Sequence, residues 1–471
     1  MIQFDRFPRL LLSVICASIL AGCASMAPQY TQPASPVPAQ FPTATAVSEP
    51  ATSLTSMDWH DVFLDERLRK VIALALENNR DLRVAVLNIE KARAQYQIQR
   101  ANSLPSIDGT GAQTTSATSN NGKTSISRSA TATVGFSSWE LDLFGRIRSL
   151  NDEALQTYLA TAQTQRSTRM SLVAEVAGDW LTVASYQQRV ALAKQTLESQ
   201  QKTLTLTQQM HDSGAVAGTD LVTVEASVQS ARADVASYAT SLDEARNALD
   251  LVVGTAVSAD LLPDAAAYDN AVALAPVSAN MSSSVLLQRP DVLSAEYTLK
   301  AANADIGAAR AAFFPTISLT GSAGVGSDAL STLFSAGTRT WSFVPTISVP
   351  IFHAGALQAS LDVAKISSNI AVAQYEKAVQ SAFQETSDAL AVRARLDERL
   401  DAQRALVSAS QRSYTLADAR YKNGVDSYLL TLVAQRTFYS AQQDLISLQL
   451  SEATNRVTLF KVLGGGADAR S

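Results

Sequence analysis

The chain repeats itself. Residues 81–107, DLRVAVLNIEKARAQYQIQRANSLPSI, align without a gap with residues 291–317, DVLSAEYTLKAANADIGAARAAFFPTI, at an offset of 210. Asp81/Asp291, Ala92/Ala302, Arg100/Arg310 and Pro105/Pro315 are matched pairs. A second echo joins Gly214, Leu221, Thr223 and Ala226 to Gly424, Leu429, Thr431 and Ala434. Each half therefore has to build the same unit, and this constraint precedes any choice of fold.

The unit can be read from its first copy, residues 59–254. A helix over about 81–102 is stopped by Pro105, strands follow over about 104–118 and 127–143, and a helical run covers about 145–211. That run lacks proline, and at about 1.5 Å per residue its roughly 66 residues extend on the order of 100 Å. No compact domain needs such a length. Gly214 supplies a left-handed residue that ends it, and Thr219 or Asp220 is expected to cap a return helix over about 218–253. The return helix and the short first helix, stacked end to end, cover nearly the same distance as the long one. The second copy, 281–464, repeats the plan with strands over about 315–327 and 338–351 and helices over about 290–313, 355–421 and 427–463. A linker at 255–280 and a tail at 465–471 complete the chain. Narrow stripes such as Val173, Val176, Ala177, Trp180 and Ala184 call for close, coiled-coil-like helix packing.

The strands discriminate between a soluble rod and a channel. Ile317, Leu319, Ala323 and Val325 alternate with Thr316, Ser318, Thr320 and Ser322, and Trp341, Phe343, Ile347 and Val349 alternate with Thr340, Ser342, Thr346 and Ser348. Ala130, Ala132, Val134 and Phe136 alternate in the same way with Ser129, Thr131 and Thr133. Strands of about ten residues with this alternation suit a membrane barrel, although a half-buried soluble sheet has the same pattern. Four strands per chain cannot close a barrel, and open edges are not tolerated in hydrocarbon. Chains must then combine, and three give twelve strands with room for water. Trp139 and Trp341 are placed as interfacial aromatics would be.

The amino terminus carries Arg6 and Arg9, an apolar stretch from Leu10 to Leu20, and then Leu20-Ala21-Gly22-Cys23. Residues 1–22 read as a secretory signal too short to span a bilayer as a retained helix. Small residues before a cysteine resemble a bacterial lipoprotein processing site, which implies cleavage before Cys23 and its acylation. Ala24 is compatible with sorting to the outer membrane, and residues 23–58 read as an extended, lipidated tether. Without Arg6, Arg9 and Asp5 the chain has 36 basic and 42 acidic residues, a net charge near −6 that gives no support to nucleic-acid binding. The three histidines are scattered, and no phosphate loop, metal-ligand spacing or catalytic constellation calls for an enzyme or a cofactor.

Arg289-Pro290-Asp291, Ala301-Ala302-Asn303-Ala304-Asp305-Ile306-Gly307 and Phe313-Phe314-Pro315-Thr316-Ile317 resemble the TolC-like outer-membrane factor family, in particular its lipoprotein branch of multidrug efflux channels. Trp139-Glu140-Leu141-Asp142-Leu143-Phe144-Gly145 and Tyr421-Lys422-Asn423-Gly424 extend the resemblance over nearly the whole mature chain. It implies a mainly α protein with membrane β: a homotrimer whose twelve-stranded β-barrel continues into a long periplasmic α-helical barrel. The implied function is the exit duct of a tripartite efflux pump, fed by an inner-membrane transporter through a periplasmic adaptor. A type I protein-secretion or metal-efflux duct is the alternative on the same fold, and a lipid-anchored periplasmic coiled-coil scaffold is the alternative of another kind. By the resemblance, Tyr421 and Asp220 match gating positions, and the turns at Gly214 and Gly424 match adaptor-contact sites. The sequence departs from TolC itself at Asp426, where that protein has an arginine, and at Leu430 and Val433, which replace its aperture aspartates. Asp418 with Arg420 is expected instead to form a charged constriction, with Leu416 as an apolar plug.

Overall fold

A computed structural model describes residues 25–42, 58–264, 272 and 282–465. The signal at 1–22, Cys23, most of the linker and the end of the tail lie outside the described residues. The elements in order are α1 (Trp59–Val62), α2 (Glu66–Asn78), α3 (Arg80–Ala101), β1 (Asp108–Asn120), β2 (Lys123–Leu141), α4 (Arg146–Asp212) and α5 (Gly218–Val253). The second half follows with α6 (Pro290–Ala311), β3 (Thr316–Ser327), β4 (Arg339–Ser348), α7 (Ala356–Lys422) and α8 (Tyr428–Val462). Both long helices have 67 residues.

The chain does not divide at the repeat boundary. One compact unit draws on 25–34, 88–162 and 294–376, and the other on 35–87, 163–293 and 377–465, so each takes material from both halves.

The first unit is built on a four-stranded antiparallel sheet in the order β1-β2-β3-β4. Asn121 (φ 52°) and Gly122 (φ 76°) form a two-residue hairpin turn, the geometry Asn-Gly favours because both residues tolerate positive φ. The loop expected between 118 and 127 therefore shrinks to two residues, and β1 and β2 extend past their expected outer ends. All helix connections leave one end of the sheet, and both hairpin turns lie at the other.

Residues 25–32, the start of the expected extended tether, also belong to this unit and are held against it by hydrogen bonds. Arg310 Nη1 donates to the Met26 carbonyl (3.0 Å), Asn303 Nδ2 to that of Pro28 (2.8 Å), and Tyr30 Oη to Glu296 (3.1 Å). A Cβ on Gly307 would come within 2.7 Å of the Ala27 backbone nitrogen. The glycine of the Ala304-Asp305-Ile306-Gly307 motif thus makes room for this strap.

The second unit has its core where α2 packs on α4 and α5. Asp65 caps α2 by accepting from the Arg67 amide (2.8 Å), and Leu68, Val71, Ile72 and Ala75 form its buried face. That face meets Val173, Val176, Ala177, Trp180 and Ala184, the α4 stripe identified in the sequence, all of them buried. The Trp180 indole donates to the Leu261 carbonyl (3.0 Å), so its one polar atom is satisfied inside the core.

Candidate functional site

The sheet register sorts side chains onto two faces. Val134 pairs with Ala323 and Ala323 with Trp341, Leu141 with Ile317 and Ile317 with Ile347, so the apolar residues of three strands share one face. Thr110 pairs with Thr133, and Ser322 with Ser342, on the opposite face, with side-chain hydrogen bonds of 2.9 and 3.1 Å. The register shift between Phe136 and Trp139 inserts one extra residue, which keeps both aromatics on the apolar side. On the polar face, a Cβ on Gly135 would lie 2.2 Å from the Gly321 carbonyl oxygen, and one on Gly324 2.1 Å from that of Ala132. The glycines there let the neighbouring backbones approach closely on the Ser/Thr face. Both outer strands are exposed along their whole length, with Trp341 at 81%.

The turn from β2 into α4 explains the Trp139–Gly145 motif. Asp142 accepts from the Ile147 and Arg148 amides (3.1 and 2.8 Å), capping the long helix, and Arg146 pairs with Glu140 (2.6 Å). Phe144 stacks on Phe314 at 4.9 Å, joining the β2–α4 turn of the first half to the α6–β3 turn of the second.

At the far ends of the long helices the two reversals have the same form. Gly214 (φ 76°) and Gly424 (φ 69°) adopt left-handed conformations, and Ala215 and Val425 donate to the carbonyls of Met210 and Arg420 (2.8 and 2.9 Å). Each is a Schellman termination. The cap expected of Thr219 or Asp220 is absent: α5 starts at Gly218, its N-cap is Ala217, and no side chain bonds the cap. Asp220 lies in the first turn, where a carboxylate suits the helix dipole.

Tyr421 is 1% exposed and lies inside the chain. Its hydroxyl shares a 2.7 Å hydrogen bond with Thr207 of α4, and its ring meets Tyr428 edge-on at 5.4 Å. Val224 and Leu432 complete the cluster, so helices of both halves converge on this residue. Thr207 and Tyr428 were not singled out in the sequence, because nothing local marks a threonine as the partner of a tyrosine 214 positions away.

Asp418 and Arg420, the residues expected to form a charged constriction, each have a partner within the chain. Asp418 bonds Lys422 (2.7 Å) one turn along the helix, while Arg420 reaches Asp426 across the reversal (3.0 Å). Arg420 holds the Asp426 carboxyl below the usual carboxylate range. The charges therefore brace one turn. Leu416 (66% exposed), Leu430 (54%) and Val433 (56%) point away from the chain's own core.

A further pair escaped the sequence reading. Asn79 joins α5 to α3: its side-chain amide donates to the Val252 carbonyl (2.7 Å), and its oxygen accepts from the Leu82 amide (2.8 Å). Gly254 (φ 82°) is pressed against it, with no room for a Cβ beside the Asn78 carbonyl (2.5 Å). At the 210 offset Arg289, 3% exposed, performs the same task between α8 and α6: it donates to the Val462 carbonyl (3.0 Å) and pairs with Asp291 and Glu385 (2.7 Å each). The expected end-to-end stacking of the shorter helices is made by these two residues. The repeat alignment places Arg289 opposite Asn79, and that was the available signal.

The model of the outer membrane efflux protein family matches the chain twice, over residues 71–255 and 281–465, again 210 apart. The antibiotic efflux pump outer membrane protein ArpC of Pseudomonas putida is 44% identical over 464 residues, 97% of this chain and 95% of its own length. The toluene efflux pump outer membrane protein TtgC of Pseudomonas putida has the same identity and coverage. The open state of the Neisseria gonorrhoeae MtrE outer membrane channel superposes with a TM-score of 0.87 at 40% identity, covering 95% of this chain and all of that one. The two-faced sheet, the paired reversals and these relatives agree: the chain belongs to the outer membrane efflux protein family and is one subunit of a trimeric outer-membrane channel whose twelve strands come four from each copy.

Proposed function

We propose that this chain is the passive, gated exit duct of a tripartite pump that expels drugs and other small molecules, with energy supplied by an inner-membrane transporter coupled through a periplasmic adaptor. The observation that carries this reading is the sheet itself, apolar on one face and lined with Ser, Thr and Gly on the other. Three such sheets enclose a wet lumen that selects weakly, which leaves the choice of cargo to the transporter. The names of ArpC and TtgC, antibiotic and toluene efflux, favour small-molecule cargo over secreted protein. The reading assigns the chain no chemical step and no cofactor.

In this reading Cys23 is acylated. The strap supports the assignment, because Met26 is fixed on Arg310 near the start of β3, and only two residues separate it from Cys23. The reversals at Gly214 and Gly424 receive the adaptor, and the resting gate lies beside them. Tyr421 locks the two helical hairpins of one chain, Asp220 faces the neighbouring reversal, and Leu416, Leu430 and Val433 form an apolar constriction between copies.

Deletion of the gene tests the proposal: susceptibility to antibiotics and to toluene should rise several-fold and return to normal on complementation. Unchanged susceptibility combined with loss of a secreted protein would replace drug efflux with protein secretion.

A further inference from the structure

The outer face of the sheet holds two cations. Arg339 pairs with Val325, which pairs with Ala132, one alternation beyond the row of Trp341, Ala323 and Val134, so its side chain leaves on the apolar side. Arg128 has the same parity as Ala130 and Ala132 and leaves on that side too. Both are exposed, and among the described residues neither guanidinium has a hydrogen-bond or ion-pair partner. Both lie toward the hairpin end, opposite the helix connections, which is the outer side of the membrane for a channel whose helices enter the periplasm. Among the described residues, the large apolar side chains that the strands present on this face beyond the row of Arg339 thin out to Ile126.

The strand order adds symmetry. Arg128 is on β2 and Arg339 on β4, two strands or about 10 Å apart across the sheet and, because the Arg339 row meets β2 at Ala132, four residues or about 13 Å apart along it. In the closed trimer β4 adjoins β1 of the next copy, so the following Arg128 is again two strands away. The six arginines therefore occupy every second strand around the barrel, in two alternating tiers toward its outer end. Unpaired guanidiniums there suit phosphates, which they can grip with two parallel hydrogen bonds.

We propose that Arg128 and Arg339 form a ring that binds the phosphorylated glycolipid of the outer leaflet, with the phosphate groups on the arginines and the acyl chains along Trp341 and Phe343. Each subunit contributes one site of two cations on alternate strands, completed at the seam by the neighbouring copy. The inference rests on the outer-membrane trimer, and its test separates the two.

The detergent-extracted trimer is incubated with bis-phosphorylated lipid A, phosphatidylglycerol or phosphatidylcholine, and retained lipid is counted by native mass spectrometry. Wild type should retain lipid A in preference to both phospholipids. R128Q/R339Q should bind lipid A about 30-fold more weakly, equivalent to about 2 kcal/mol for two cations near an anionic surface. R128K/R339K, which keeps the charge but loses the two-pronged grip, should bind lipid A between wild type and R128Q/R339Q, and trimer mass and heat resistance should be unchanged in both variants. Equal lipid A retention by R128Q/R339Q, or equal uptake of phosphatidylglycerol by wild type, would overturn the ring and leave the channel standing. A wild-type protein with no trimer mass would instead overturn the channel reading.

Discussion

At the scale of single residues, burial decides roles that spacing only suggests. Tyr421 was legible as a gate candidate from its place before Gly424, but the hydroxyl bond to Thr207 depends on how the halves meet and is written nowhere in the local sequence. Tyr421→Phe should leave the packing intact and lose about 1 kcal/mol, read as a lower unfolding midpoint of the detergent-solubilised protein. Combined with Asp220→Ala it should raise resting conductance in planar bilayers; conductance equal to wild type would remove both residues from the gate. Asp179 shows a different effect of burial. Desolvation, reinforced by Glu175, pushes its carboxyl up to about 6. The unfolded chain, near 3.9, gives up that proton first. The folded state therefore loses stability as pH rises from about 4 through about 6, and the penalty persists above that range. Asp179→Asn should stabilise the protein at pH 7.5 by about 1–2 kcal/mol, a value discounted for partial solvent access, and should do nothing below pH 4. Melting curves at both pH values decide this.

At the scale of elements, the repeat made the long helices and return helices legible, because glycine reversals and an uninterrupted 67-residue run leave little alternative. Strand ends were less legible: the Asn121-Gly122 signal was present, but the Ser/Thr-rich residues around it look like loop. The junctions were hidden altogether, since Asn79 and Arg289 share a task but no chemistry. Arg289 is enclosed and bonds the Val462 carbonyl in the interior, while its two carboxylate partners keep access to solvent, so Arg289→Ala opens a cavity and strands that carbonyl and should cost about 2–3 kcal/mol. Asn79→Ala removes a cap and one further hydrogen bond and should cost about 1–2 kcal/mol. Denaturation of the two variants side by side tests the order. The strap makes its own prediction. Gly307→Val should dislodge residues 25–32 without unfolding α6, seen as new protease cleavage near Tyr30 in a protein that remains trimeric.

At the scale of the whole molecule, counting strands already required several chains, and the two-faced sheet with exposed outer strands supplies the physical reason. The alternation of the strands marks their Ser/Thr faces as the lining of a wet lumen, and in the register Thr133, Ser322 and Ser342 share one side of the sheet. The composition of β1 bears on how the barrel is made. On the side it shares with Ala130, Ala132 and Val134 it presents Gln113, Gly111 and Gly109, so it has no greasy surface of its own. Left alone, one copy has little to draw β1 into a bilayer and no means of satisfying its backbone there. Insertion must then wait until three copies have met, and the slow event in biogenesis becomes a collision among subunits. Halving expression should delay the appearance of mature channels by more than a factor of two.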